Sequence, residues 1–218
     1  MPGQQNLASG PTLPKEVRNQ LIALYNRGKL ERLINQASSL TNKYPDSIVL
    51  WNLLGAANAD LSRSKEAISA FETAILLNPD APDAHNNLGL ALHQTADFEA
   101  SITAFNKAIQ LEPNYPDALN NLGAALYQQG QFKEALKSLK KAISIKSDYA
   151  EAYFNMGLVF QGQDLFEDAM IEFKKALSLN SNYIAAHKKL GDVLIHQNRY
   201  EEAITCYGHA IKILPHDV

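Results

Sequence analysis

Ala84-His85-Asn86-Asn87-Leu88-Gly89 returns 34 positions later as Ala118-Leu119-Asn120-Asn121-Leu122-Gly123, with one residue changed. The closing glycine also stands at Gly55, Gly157 and Gly191, so the same period runs through most of the 218-residue chain. Self-similarity at this spacing marks a stack of supersecondary units, each too small to bury its apolar face alone. Five regular units follow, at 48–81, 82–115, 116–149, 150–183 and 184–217.

Each unit reads as two helices. The glycine at its eighth position is matched by a small residue at the twentieth: Ala67, Ser101, Ala135, Ala169 and Ala203. Small residues facing each other let antiparallel helices approach closely, with larger side chains interdigitating on either side. A third small series, Ala74, Ala108, Ala142, Ala176 and Ala210, is expected to receive the next unit. Leu54, Leu88, Leu122, Met156 and Leu190, with Phe71, Phe105, Leu139, Phe173 and Tyr207, fill the space between as core. Pro79, Pro113 and Pro215 end the second helix of three units, while Ser147-Asp148 and Ser181-Asn182 supply a turn or cap in the other two. Pro82-Asp83 and Pro116-Asp117 open the next helix with proline in its first turn and a carboxylate at the positive end of its dipole. Period, caps and small-residue pairing agree on an all-α stack of helical hairpins.

Residues 14–47 carry the same helical hairpin pattern in divergent form. Val17, Leu21, Leu24 and Tyr25 share one face, Gly28 breaks it, and Leu30, Leu33, Ile34, Ala37 and Leu40 form a second face before Tyr44-Pro45. Leu21 stands where later units have glycine, so the two helices are expected to lie further apart, as an N-terminal capping repeat. Residues 1–13, rich in Gly, Gln, Ser and Pro, read as a flexible leader.

Composition narrows the function. Lys and Arg number 20 against 23 Asp and Glu, a net charge of −3 with the signs intermixed, so no basic footprint for nucleic acid or an anionic membrane is present. Neither a signal sequence nor a run of about 18 apolar residues is found, and Cys206 is alone; a soluble, cytoplasmic protein is expected. Catalytic, metal and cofactor sites are not expected. The six histidines lack the spacing of a helical zinc site, phosphate-binding glycine loops are missing, and Cys206 has only His209 at helical spacing.

The residues resemble the tetratricopeptide repeats. Trp51-Asn52-Leu53-Leu54-Gly55 carries the family's tryptophan, leucine and glycine, and Ala67, Phe71, Ala74 and Pro79 carry its second half. Asn58 and Ser64 depart from the pattern where large apolar residues are usual, as do Leu139 for an aromatic and Ser101 for alanine. The resemblance implies a right-handed α–α superhelix, or solenoid, with the first helix of each hairpin lining a concave groove that binds a protein or peptide partner.

Projection onto a helix with core positions four, seven, eight and eleven sends positions two, five, six, nine, twelve and thirteen to other sides, which face the groove in the family. The sixth position is asparagine three times running, at Asn87, Asn121 and Asn155. A carboxamide offers both donor and acceptor, so such a file can pair with the main chain of an extended peptide. The same ladder occurs in the repeat domain of O-linked N-acetylglucosamine transferases, which this part of the chain looks like. Asn86, Asn120, Gln128 and Lys189 join the candidate peptide-binding set, with Tyr127 and Phe154 as exposed aromatic anchors. Asp83, Asp117 and Glu151 read first as helix-dipole carboxylates. No unit has the lysine, asparagine and arginine set with which family members grip a chaperone's terminal carboxylate.

The last unit ends without a further polar-backed helix, so Ala203, Tyr207, Ala210 and Ile211 are expected to face solvent. Self-association through that uncapped repeat would cover them. The alternative reading makes the chain the N-terminal, substrate-recruiting region of a larger bacterial glycosyltransferase or sulfotransferase.

Overall fold

The computed structural model describes residues 11–213, and among them every regular element is an α-helix. Two compact units, 1–111 and 112–218, divide the chain. Unit 1 holds α1 (Lys15–Asn26), α2 (Leu30–Thr41), α3 (Ile48–Asp60), α4 (Ser64–Leu77), α5 (Pro82–Gln94) and α6 (Phe98–Leu111). Unit 2 holds α7 (Pro116–Gln128), α8 (Phe132–Ile145), α9 (Ala150–Gly162), α10 (Phe166–Leu179), α11 (Ile184–His196) and α12 (Tyr200–Ile213). In each unit every helix packs on the next in sequence, and first helices of adjacent hairpins also touch: α1 on α3, α3 on α5, and α7 on α9. The expected turn at Pro215 lies outside the described residues.

One close contact organises each regular hairpin. A Cβ placed on Gly55, Gly89, Gly123, Gly157 or Gly191 would come within 2.5–2.7 Å of Phe71, Phe105, Leu139, Phe173 or Tyr207 respectively. Hydrogen is all that the facing ring or branched chain tolerates there. The small twentieth position lies against the same turn of helix, where Ser101 Oγ donates to the Gly89 carbonyl at 2.8 Å. Ser101 therefore adds a hydrogen bond rather than weakening the contact. Leu21, in place of the glycine, is itself buried, and α1 and α2 approach at fewer points than later pairs.

Helical projection missed two wholly buried positions. The third (Leu50, Ala84, Ala118, Ala152, Ala186) and the tenth (Ala57, Ala91, Ala125, Val159, Val193) are at most 1% exposed, because first helices are covered by two neighbours rather than one. Asn58 is buried and donates from Nδ2 to the Leu54 carbonyl at 2.8 Å. With that short side chain in place of a large one, an open hollow of about 600 Å3 is left beside Ile34, Trp51 and Ala70. Leu13 packs half-buried on the first core, so ordered structure begins before Pro14.

The turn inside every hairpin is the same left-handed helix cap, at Gly28, Ser62, Ala96, Gly130, Asp164 and Asn198, with φ between 58° and 72°. Each of these residues donates its N–H three residues back, and the following residue donates five back, as Ala96 to His93 and Asp97 to Leu92. These paired bonds satisfy the last carbonyls of the first helix. Between hairpins, Asn78 and Asn180 accept from the N–H groups of Asp80 and Asn182, so the turn comes from Asn180 rather than from Asn182.

The end of α12 is less open than expected. Ala203 and Ala210 are 2% and 3% exposed, and Tyr207 is half-buried on Gly191 with its hydroxyl donating to Asp192 Oδ1 at 2.6 Å. These residues lie on the face that α11 covers; Ile204 and Ile211 are the apolar side chains left in water.

Candidate functional site

The faces formed by the first helices differ between the two units. In unit 1, α1, α3 and α5 contribute to a pocket of about 340 Å3 whose lining includes Tyr25, Leu53, Asp60, Asn87, Leu90 and Gln94. Its walls are mainly apolar and its one charged lining residue is Asp60. The Tyr25 hydroxyl bonds to Asp60; burial first, then that bond and the carboxylate's charge, hold Tyr25 above the usual phenol range and keep it a donor. Asn87 is half-buried at the pocket wall, and no described residue hydrogen-bonds its carboxamide.

Unit 2 presents a closed polar network instead. Asn155 Nδ2 on α9 donates to Asn120 Oδ1 on α7 at 2.8 Å, and Asn120 Nδ2 donates to Glu151 Oε1 at 3.2 Å. The Tyr149 hydroxyl donates to Asp117 Oδ1 at 2.8 Å. Tyr149 is pushed well above the usual phenol range, by burial first, then by its bond to Asp117 and the Glu151 and Asp117 charges. Asp117 and Glu151 therefore do more than face a helix dipole: they fix the carboxamide and phenol between two hairpins.

The predicted site residues separate accordingly. Asn86 and Asn120, placed on the groove by projection, are 5% and 1% exposed. Asn121 and Asn155 are half-buried, and Gln128 is exposed at the end of α7. The two aromatic anchors are half-buried rather than exposed. Tyr127 lies over Gly162, and Phe154 is held between Phe173 and Tyr183 with ring centroids 5.7 and 4.9 Å away. Lys189 pairs with Asp192 on its own helix at 3.5 Å. His93 and His196, also projected onto the groove, pack against Phe98 and Phe166. Sequence reasoning missed Asn52, Tyr25 and Asp60. The signal for Asn52 was the 35-residue offset joining Asn120 to Asn155, which also joins Asn52 to Asn87.

Cys206 is half-buried, and burial pushes its thiol up, away from the reactive thiolate. His209 stacks on His187, with centroids 5.3 Å apart. Among the described residues no cluster of three or more His, Cys, Asp or Glu could hold a metal ion, and no helix is long and apolar enough to cross a membrane.

Comparison with known families and structures matches this architecture. Residues 55–95, 97–130 and 123–164 match a TPR repeat model, and residues 144–216 match a tetratricopeptide repeat model. The chain belongs to the tetratricopeptide repeat family. Among solved structures, a thermophilic TPR protein of Thermus thermophilus is similar at 24% identity and a TM-score of 0.70, over 78% of this chain and 93% of its own. PilF of Pseudomonas aeruginosa aligns at 22% identity and 0.69, over 77% and 76%. YrrB, described as a TPR protein with an unusual peptide-binding site, aligns at 18% identity and 0.59, over 83% and 93%. No curated protein matches the chain.

Proposed function

We propose that the chain is a protein-interaction scaffold that holds an extended peptide segment on its first-helix faces. A capping repeat at 14–47 and five binding repeats at 48–217 would make up the array. The observation that carries the reading is the pocket of about 340 Å3 on α1, α3 and α5, apolar in its walls and edged by a carboxamide. Pockets of this size take a side chain and its neighbouring main chain. Family membership supports the reading, as does the peptide-binding site described for the similarly folded YrrB. Asn87 and Asn121 would pair with peptide main chain, with Asn86, Gln128 and Lys189 around them and Tyr127 and Phe154 supporting the face, while Asn155 and Asn120, bonded to each other, would brace it from unit 2. This ladder is the feature that likens the chain to O-linked N-acetylglucosamine transferase repeats.

A carboxamide-to-backbone bond contributes about 0.5–1.5 kcal/mol net. Asn87→Ala with Asn121→Ala should therefore weaken binding of array-selected peptides about tenfold or more, measured by titration calorimetry, with an unchanged far-UV spectrum. Undiminished affinity in that double variant overturns the ladder.

A further inference from the structure

The carboxamide pair that is closed in unit 2 is open in unit 1. The residues at the same 35-residue offset as Asn120 and Asn155 are Asn52 on α3 and Asn87 on α5. Asn52 Oδ1, the counterpart of the oxygen that accepts from Asn155, is buried and has no hydrogen-bond partner. Asn87 makes no bond to it and instead lines the pocket.

The neighbours explain the difference. The closed pair sits among Asp117, Tyr149 and Glu151: the Tyr149 hydroxyl donates to Asp117, and Glu151 accepts from the Asn120 amide. At the corresponding positions of unit 1 stand Val49, Ala81 and Asp83. Val49 and Ala81 have no polar side-chain atom, so the phenol-carboxylate bond has no counterpart, and Asp83 is one methylene shorter than Glu151. Nothing equivalent holds Asn52 in the orientation that Asn120 adopts.

We infer that Asn87 is the carboxamide that reads the partner, and that the unit 1 pocket takes an apolar side chain of an extended peptide carrying a basic residue next to it. The inference rests on the scaffold reading and gives it a specificity. Leu53, Ala56 and Leu90 supply the apolar seat, and Leu90 is 41% exposed although large and apolar. Asp60, without a cation among the pocket's lining residues, supplies the attraction for a neighbouring lysine or arginine. The peptide's main chain offers donor and acceptor to an Asn87 carboxamide that no internal bond occupies.

The test grafts the closed arrangement into unit 1. Val49→Asp, Ala81→Tyr and Asp83→Glu in the full chain should let Asn52 and Asn87 pair, raising the thermal midpoint and lowering peptide affinity about tenfold. The probes are synthetic extended peptides with a central Leu, Phe or Ser beside Lys or Glu, titrated by calorimetry. Leu or Phe beside Lys should bind best, and Asn87→Ala should lose about tenfold for that peptide whether or not the graft folds. Undiminished affinity in Asn87→Ala, or in a graft with a raised midpoint, overturns the inference, as does a preference for Ser or Glu. If binding persists in either pattern, the scaffold reading stands without it; if none of the peptides binds, both fall.

Discussion

Single contacts at the glycine series set how tightly each hairpin closes. At Gly89 a methyl group would sit 2.6 Å from the Phe105 ring, which is fully buried and has no free direction to move. Overpacking of this kind costs about 1–3 kcal/mol. Gly89→Ala should lower the thermal midpoint of the chain by several degrees, read by far-UV circular dichroism. Gly208→Ala, where a Cβ meets nothing within 4 Å, is the control and should not lower it. The glycines were readable from the period alone, since a residue without a side chain recurring at fixed spacing has few other uses. Their partner was harder to read: projection paired them with the small residue on the facing helix, while the nearest atoms belong to the large one four residues later. Small and large cooperate, the first letting the backbones approach and the second covering the gap.

Among the elements, the inter-helix turn shows where backbone geometry outruns sequence. Six turns share one left-handed conformation, yet only Gly28 and Gly130 have the residue suited to it. Asp164 and Asn198 are tolerated through short polar side chains, whereas Ala96 bears the steric cost of its Cβ. Ala96→Gly should relieve that strain and stabilise the chain by about 0.5–1 kcal/mol after the added freedom of the unfolded state is counted; Gly130→Ala should do the reverse. Thermal midpoints of the two variants, moving in opposite directions, check this. The turn was legible at Gly28 and hidden at Ala96, because nothing about alanine announces a positive φ. The candidate site divides in the same way. Asparagine at the sixth position was plain, but its bonding was not: Asn155 meets Asn120 beside Asp117, Tyr149 and Glu151, which lie apart in sequence and come together only when hairpins stack. The aromatic anchors were misjudged for a related reason: Phe154 looks outward on an isolated helix and is covered once Tyr183 arrives from the next turn.

Taken whole, the chain concentrates its titration-sensitive phenols in one unit. Burial first, then the Glu151 charge, pushes Tyr183 up to about 12, and burial with the Asp192 bond does the same for Tyr207; Tyr149 rises with them. Unfolded tyrosines ionise near pH 10. Between about pH 10 and 12 the unfolded state therefore holds fewer protons than the folded one, so stability is full below that window and falls as pH rises through it. Thermal midpoints should be flat from about pH 7 to 9 and then decline. Tyr183→Phe should make the decline shallower, and an equal slope in that variant would refute the assignment. Unit 1 contributes Tyr25 alone to this effect among the shifted groups. That asymmetry can be watched separately, because Trp51 is the only tryptophan in the sequence and lies in unit 1, its indole N–H donating to the Pro45 carbonyl at 2.7 Å. Its emission wavelength is a built-in optical label for residues 1–111, while ellipticity sums both halves. One cuvette and two wavelengths thus separate the melting of unit 1 from that of the tyrosine-rich unit 2, with no dye attached.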